Sequence, residues 1–232
     1  MNQLSRIIEP PTTIQQVQAL QQYKKYMWSG ISPYLSCMNV LPSSIIDSQW
    51  EWLQVIDLWW DNWSFCKIIK NWLPKAEVIC VDNSLVWTTN TNWVNMVWDD
   101  LLHVEKYINS NSEYTLLVCI DTIHHIDEPE LFFDIVKKLP SNIGLYIKDY
   151  IRPMSDEQLI YKMNMLNECI TIICRQDKIT ADIVINLSKQ SLLASLWQNE
   201  IHGLISNISW IDYKETNNGI TYEIMRNVTE WK

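Results

Sequence analysis

Short apolar runs that end on or beside an aspartate constrain the fold of this chain more than any other feature. The runs cover residues 52–58, 76–81, 115–120 and 143–147, and the acids are Asp57, Asp82, Asp121 and Asp149. Such runs are typical of parallel strands that are buried on both faces of a sheet. Because ligands bind beyond the carboxyl ends of these strands, the aligned acids predict a crevice at that edge, although acids are also common at solvated strand ends.

Helical segments separate the strands and set the fold class. Residues 65–72 and 129–138 read as helices between strands, and residues 93–98 are a further candidate strand. Near the end, Asn217-Asn218-Gly219 lies between apolar segments 209–213 and 221–225, a strong hairpin signal. The pattern predicts an α/β, Rossmann-like, seven-stranded and mostly parallel sheet, with a C-terminal antiparallel hairpin and helices on both faces.

The first part of the chain differs from the rest. After Pro10-Pro11, Thr12-Thr13 can cap a helix whose apolar residues recur at helical spacing from Ile14 to Met27. Residues 1–47 are therefore predicted to form an N-terminal helical lid, and residues 48–232 the α/β domain. Beyond Pro153, the pattern predicts helices over 156–173, 181–187 and 191–205.

Composition narrows the expected partners. Hydrophobic residues make up 47% of the 232 residues, so a full core can be buried. The net charge is −9 and the 18 basic residues are scattered, which argues against a nucleic-acid partner. No apolar run reaches the roughly 20 residues of a membrane span, and the polar start lacks a signal-peptide core. The expected location is cytoplasmic, with no membrane partner.

Cysteine spacing bears on metal binding. The six cysteines lie far apart and none forms a Cys-x-x-Cys pair, which favours reduced, buried thiols and no metal site.

Glycine is nearly absent, with four residues, whereas tryptophan is abundant, with 13. Glycine normally allows the close backbone approach that nucleotide-like ligands require.

Several short motifs occur in a characteristic order. They are Val55-Ile56-Asp57-Leu58, Val81-Asp82-Asn83-Ser84, Trp98-Asp99-Asp100, the stretch from Ile120 through His124-His125 to Pro129, Asp149-Tyr150-Ile151-Arg152-Pro153, and the helix from Ser191 to Leu196. In this order and spacing the chain resembles the class I S-adenosylmethionine-dependent methyltransferases, in particular those that act on small molecules. The resemblance covers about residues 52–225.

The resemblance implies an S-adenosylmethionine cofactor across the first two strands. It assigns cofactor contacts to Asp57, Trp59, Asp61, Trp63, Asp82, Asn83, Asp99 and Asp121. Asp82 would accept both ribose hydroxyls, or it caps the next helix. Asp57 would orient the turn or meet the cofactor's amino group, or it bonds local backbone amides. Asp99 and Asp100 would bond the adenine amino group, or they cap the segment that begins at Leu101.

The cofactor turn departs from the family pattern. The family has approximately Gly-x-Gly-x-Gly, whereas this chain has Trp59-Trp60-Asp61-Asn62-Trp63. These indoles add bulk where the methionine part of the cofactor is expected. They fill the old cofactor pocket, stack on a planar ligand or form a partner interface, and the sequence leaves these alternatives open.

Four residues beyond the fourth and fifth strands are candidates for chemistry. His124 and His125 are the candidate catalytic residues, one of them as a general base, or they are structural histidines bonded to loop backbone. Tyr150 and Arg152 are expected to bind substrate. Arg152 pairs with a substrate carboxylate or, in the alternative, with an acid such as Asp149.

The residues leave three functions open. The first is methyl transfer from S-adenosylmethionine to a small molecule. The second is a methyltransferase-fold protein that has lost methyl transfer and serves as a binding or scaffolding partner, with a possible homodimer through the tryptophan-rich edge. The third is a repurposed catalyst that does not transfer methyl groups.

Overall fold

One seven-stranded sheet organises the computed structural model, which describes residues 6–7, 13–27, 37–41, 53–58, 64–82 and 94–228. Its strands are β1 (Leu53–Leu58), β2 (Glu77–Asp82), β3 (Asn95–Trp98), β4 (Tyr114–Ile120), β5 (Ile143–Tyr150), β6 (Asp212–Thr216) and β7 (Thr221–Arg226). The strand order is β3-β2-β1-β4-β5-β7-β6. The predicted sheet is therefore confirmed.

The central strands owe their position to complete burial. Every residue of β1 and β4 is buried, including the polar Gln54 and Asp57. β1 pairs in parallel with β2 on one side and β4 on the other. Since β2 and β4 lie on opposite sides of β1, the strand order reverses there, and the carboxyl ends at this reversal are where ligands bind in such sheets.

Helices cover both faces of the sheet. They are α1 (Ile14–Met27), α2 (Ser64–Trp72), α3 (Pro129–Lys138), α4 (Asp156–Cys174), α5 (Lys178–Ala194) and α6 (Gln198–Ile205), with two 3₁₀ helices, η1 (Leu101–Tyr107) and η2 (Ile123–His125). Within the described residues, none of the helices combines the length and apolar character that crossing a membrane requires.

The core has two layers, one on each face of the sheet. On one face, Cys66 and Ile69 of α2 and Leu73, which follows it, pack against β1, β2 and β4. On the other face, η1, α3 and α6 contribute buried residues, among them Phe132 and Ile201. This second layer positions η1 and η2 beside the carboxyl edge.

A third cluster attaches the N-terminal helix to the domain. Leu20 and Tyr23 of α1 pack against buried residues of α4 and α5, including Ile170 and Val184. The amide of Ile7 donates to the carbonyl of Leu193 at 3.3 Å, and α1 runs antiparallel to α5. That the first 47 residues act as a lid stays a prediction.

One predicted helix is wrong. The sequence pattern predicts a continuous helix over 191–205, but α5 ends at Ala194 and α6 begins at Gln198. The hydroxyl of Ser195 donates to the carbonyl of Ser191 at 2.6 Å. The carbonyl of Leu196 accepts from the amide of Arg152 at 2.9 Å. The bond from Arg152 takes the Leu196 carbonyl out of a continuing helix, and the Ser195 hydroxyl adds a second donor to a carbonyl that the Ser195 amide already bonds.

Two glycines give a matched test of this packing. A Cβ atom at Gly144 of β5 would meet Val228 Cγ2 at 3.0 Å and Val40 Cγ2 at 3.3 Å, whereas one at Gly203 of α6 would meet nothing within 4 Å. We expect Gly144→Val to lower the free energy of unfolding by about 1–3 kcal/mol through overpacking. Gly203→Ala should raise it by about 0.5–1 kcal/mol, because alanine favours helix.

Urea unfolding followed by circular dichroism measures both changes. A Gly144→Val variant as stable as the parent chain would contradict the described contact between β5 and Val228.

Candidate active site

Five of the predicted residues are gathered along the carboxyl edge of the sheet. Because β1 to β5 are parallel, Asp99, Asp82, Asp57, Asp121 and Tyr150 lie at or just beyond strand ends on the same side. They follow the order of the strands across the sheet, from β3 through β2, β1 and β4 to β5. The edge is thus rich in carboxylates, as the sequence predicts.

A cavity of about 340 Å³ lies at this edge. Its lining residues come from the segments that follow β3 and β4: Asp100, Leu101, Leu102, His125, Ile126, Asp127 and Glu128. In the sheet, β2 and β1 separate β3 from β4. The cavity therefore lies between the segments that follow β3 and β4.

Asp57 is fully buried and faces the helix that follows it. The Cys66 thiol, in the first turn of α2, donates to Asp57 Oδ2 at 3.2 Å, and burial raises the pKa of that thiol well above its ordinary value. Asp57 therefore ties β1 to α2 on either side of residues 59–63, in keeping with its predicted role in orienting the turn.

The same carboxylate belongs to a buried cluster with two thiols. One ligand-type atom each from Asp57, Cys66 and Cys80 lies within 4.8 Å of the others. These are ligand types that a soft metal ion accepts. Burial raises the pKa of the Cys66 thiol, and its hydrogen bond to Asp57 already joins two of the three groups.

Asp82 is the last residue of β2, and its Cα is the register partner of Trp98 in β3. Asp82 is 9% exposed, so its side chain lies at the edge but is largely shielded from solvent. The ribose contact assigned to Asp82 stays a prediction. Trp59, Asp61, Trp63 and Asn83, the other predicted cofactor residues near these strands, lie outside the described residues.

Asp99 is engaged by the 3₁₀ helix that follows it. Its carboxylate accepts from His103 Nδ1 at 2.7 Å, from Lys106 Nζ at 3.3 Å and from the Tyr107 hydroxyl. The bond from His103, and then that from Tyr107, holds the pKa of Asp99 well below its usual range. These contacts give Asp99 a structural role, whereas its predicted contact with adenine stays untested.

The neighbouring Asp100 confirms the capping alternative. Its Oδ1 accepts from the amide of Leu102 at 2.9 Å, which caps η1. Asp100 also lines the cavity, so one acid both begins the helix and faces the open space.

The backbone beyond β4 takes an unusual conformation. Asp121 has a φ of 51°, a left-handed conformation that aspartate tolerates better than most residues. Its amide donates to the carbonyl of Lys148 at 2.8 Å and so extends the β4–β5 pairing. The hydroxyl of the next residue, Thr122, shares its one hydrogen between the carbonyls of Ile120 at 2.8 Å and Leu58 at 3.1 Å. The segment beyond β4 is therefore fastened to both neighbouring strands.

A buried imidazole–carboxylate pair lies behind this segment. Asp149 Oδ1 is 2.6 Å from His124 Nδ1, and the two side chains are 1% and 2% exposed. The same carboxylate accepts from the amides of His124 at 3.0 Å and Tyr150 at 2.7 Å. Since a carboxylate only accepts, Nδ1 carries a hydrogen and Nε2 is the nitrogen that can take a proton.

His125 and Tyr150 lie on different sides of His124. The His125 ring is 4.2 Å from the His124 ring and lines the cavity. The Tyr150 ring is 6.2 Å from that of His124 and meets it edge-on. His125 thus belongs to the β3–β4 side of the edge, and His124 is shared with the β5 side.

Tyr23 of α1, which sequence reasoning did not assign to the site, lies within electrostatic range of Tyr150. Burial raises the pKa of Tyr150 well above its ordinary value, and the charge of Asp121 adds to the shift. Tyr23 of α1 shows the same effect, again first through burial and with Asp121 contributing. The Tyr23 phenol also contributes to the raised pKa of Tyr150. The helical spacing of Tyr23 predicts its inward position but not its partners.

Arg152 forms the structural ion pair that the sequence left as an alternative, but with a different acid. Its Nη2 bonds both carboxylate oxygens of Glu200, at 3.1 and 3.3 Å, and not Asp149. The guanidinium lies 3.8 Å over the Trp197 ring, and burial lowers its pKa. With a side chain that is 1% exposed, Arg152 is closed off from the edge in this structure.

Comparison with known proteins bears on the fold. No protein-family model and no curated protein sequence matches the chain. A crystal structure of the plantazolicin methyltransferase BpumL, in complex with a triazolic desmethylPZN analog and SAH, aligns with 92% of this chain and 96% of its own at 11% identity, with a TM-score of 0.51. Its complex with a pentazolic analog and SAH aligns over the same shares at 12% identity, also with a TM-score of 0.51.

At this level of identity the similarity concerns the fold. The chain has the fold of class I S-adenosylmethionine-dependent methyltransferases, with a seven-stranded sheet that ends in an antiparallel pair. The predicted fold class and the resemblance on which it rests are confirmed.

The His124–Asp149 pair gives a direct test of the site's geometry. We expect Asp149→Asn to lower the free energy of unfolding by about 1–3 kcal/mol, since an amide nitrogen would face buried donors. Asp212→Asn, on the exposed edge strand β6, is the control and should change stability by less than about 0.5 kcal/mol. Urea unfolding measures both variants.

Nitrogen NMR of the parent chain supplies the second readout. It should find the hydrogen of His124 on Nδ1. A neutral His124 with its hydrogen on Nε2 would contradict the described pair.

Proposed function

We propose that this chain binds S-adenosylmethionine at the carboxyl edge of its sheet and transfers the methyl group to a small molecule. The observation that carries the proposal is the cavity between the segments after β3 and β4, at the edge of the sheet where β2 ends on Asp82. The likeness to BpumL in complex with SAH supports the same edge on grounds of fold.

The residues present fit the adenosyl part of the cofactor. Asp82 ends β2 at the same edge of the sheet as the cavity, and a carboxylate accepts two ribose hydroxyls at once. Asp127 and Asp100 face the cavity with further acceptors for an adenine amino group. Asp121 and the loop residues Trp59, Asp61 and Trp63 would meet the methionine part. Bound here, the cofactor supplies a methyl group on a positively charged sulfur.

The chain's own contribution is alignment and proton removal. Methyl transfer depends above all on lining up the nucleophile with the sulfonium. Tyr150 and Tyr23 shape the side beyond β4 and β5, where the acceptor would lie. His124 and His125 are the proposed proton acceptors: Asp149 fixes the ring of His124, whose side chain is 2% exposed, and His125 lines the cavity. Arg152 supports this side through Glu200 and Trp197 without contacting the acceptor.

A second function has a specific observation in its favour. Tryptophans stand at positions 59, 60 and 63, where a glycine-rich turn is expected, and indoles there would occupy the cofactor space. In that case the chain is a methyltransferase-fold binding or scaffolding partner, or a repurposed catalyst, and a homodimer through this edge is one form of it. A cytoplasmic location and the absence of a nucleic-acid partner stay predictions in either case.

Calorimetric titration with S-adenosylmethionine and S-adenosylhomocysteine separates the two functions. We expect the parent chain to bind both, and Asp82→Ala to bind at least about tenfold more weakly, because the ribose hydroxyls lose a charged acceptor. Asp134→Ala, on the exposed face of α3, should bind like the parent chain.

Two outcomes would favour the second function instead. One is no heat of binding from the parent chain at about millimolar ligand. The other is binding that appears only after Trp59, Asp61 and Trp63 are all replaced by glycine, which would mean that the native loop blocks the cleft.

A further inference from the structure

Two cysteines and an aspartate from three different elements converge in the layer between α2 and the sheet. Asp57 of β1 and Cys80 of β2 are register partners on neighbouring parallel strands, so their side chains lie on the same face of the sheet. Cys66 lies in the first turn of α2, which packs on that face. Asp57 and Cys66 are 0% exposed and Cys80 is 1% exposed. Strand pairing and helix packing therefore hold the three side chains together.

The spacing of the ligand-type atoms is close to that of a tetrahedral zinc site. The Cys66 sulfur lies 3.2 Å from Asp57 Oδ2, and one such atom each of Asp57, Cys66 and Cys80 lies within 4.8 Å of the others. With Zn–S distances of about 2.3 Å and Zn–O of about 2.0 Å, tetrahedral ligand atoms stand about 3.5–3.8 Å apart. Small side-chain movements therefore bring all three groups into coordination. Among the residues that the structure describes, no other three His, Cys, Asp or Glu side chains come this close together.

Exchange of two thiol protons for one divalent cation leaves the buried charge unchanged. With neutral thiols, the cluster carries the single negative charge of the Asp57 carboxylate. When Zn²⁺ binds that carboxylate and two thiolates, two protons leave for solvent and the net charge is again one negative. The exchange thus adds no net charge to the interior, where added charge is costly. Burial raises the pKa of the Cys66 thiol, so the arriving ion must displace its proton.

We propose that Asp57, Cys66 and Cys80 form a binding site for a thiophilic divalent cation, of which Zn²⁺ best matches their ligand types and spacing. Three protein ligands leave the fourth tetrahedral position to water or a small ligand. The site joins β1, β2 and α2, so a bound ion would stabilise the elements on either side of residues 59–63. This inference does not depend on the proposed function. It revises the expectation of no metal site, because the fold brings together cysteines that are far apart in sequence.

Zinc and cobalt titrations of the whole, reduced chain, first stripped with a chelator, test the site. We expect one Zn²⁺ to be retained per chain at about 1 μM free ion, measured by equilibrium dialysis and elemental analysis. Co²⁺ in the same site should show the visible absorption of a tetrahedral ion and a thiolate-to-cobalt charge-transfer band. Calorimetry in buffers of different ionisation enthalpy should detect the released protons, and uptake of the ion should increase with pH.

Cys66→Ala and Cys80→Ala are the informative variants, since each removes one sulfur ligand with a small loss of volume. Loss of an outer-shell partner already costs about 10–100-fold in metal affinity, so we expect each variant to bind Zn²⁺ at least about 100-fold more weakly. Zn²⁺ should raise the Tm of the parent chain but not that of either variant, because only the ion-bound folded state gains stability.

Two other thiols supply matched controls. Cys119 of β4 is as buried as Cys66 but belongs to the core layer on the opposite face of the sheet, and Cys169 of α4 is exposed. Cys119→Ala and Cys169→Ser should therefore bind Zn²⁺ like the parent chain. Circular dichroism establishes that all four variants fold.

Three results would overturn the inference. They are no zinc retained by the parent chain at about 1 μM free ion, a cobalt spectrum without the thiolate band, and a zinc affinity that neither Cys66→Ala nor Cys80→Ala lowers. The dialysis and the cobalt spectrum need only the parent chain, so they decide the matter even where a variant fails to fold.

Discussion

The buried carboxylate of Asp149 is the constraint on which this end of the molecule depends. It accepts three hydrogen bonds, two from His124 and one from the amide of Tyr150. An unpaired carboxylate at this depth would be costly, so the segment beyond β4 must return to β5 to supply donors. That return positions η2 with its two imidazoles, places His125 at the cavity and leaves His124 with one fixed ring orientation.

The sheet could be predicted from the sequence because strands that are buried on both faces appear as short, continuous apolar runs. The closing hairpin is predicted equally well, since Asn217, Asn218 and Gly219 all adopt the left-handed conformations that their residue types favour. The break between α5 and α6 could not be predicted, because it depends on a bond from the distant amide of Arg152. Local periodicity carries no information about such a partner.

The candidate site was predictable in position but not in pairing. Strand-end acids locate the edge, but the motifs do not say which groups engage them: His124 pairs with Asp149, 25 residues away. Arg152 pairs with Glu200, 48 residues away, and not with Asp149. Asp99 illustrates the difference: its motif suggests a ligand contact, yet three side chains of η1 engage it. The tryptophans at 59, 60 and 63 still decide whether the edge admits a cofactor, and they lie outside the described residues.

Thr122 links two parts of the carboxyl edge, the end of β1 and the segment that follows β4. Its hydroxyl bonds the carbonyl of Leu58, the last residue before positions 59–63, and its neighbour is Asp121. A ligand that displaces Asp121 therefore moves the same short segment that is hydrogen-bonded to the end of β1. Any change that one bound ligand makes to the affinity of the other must be reciprocal, whichever ligand binds first.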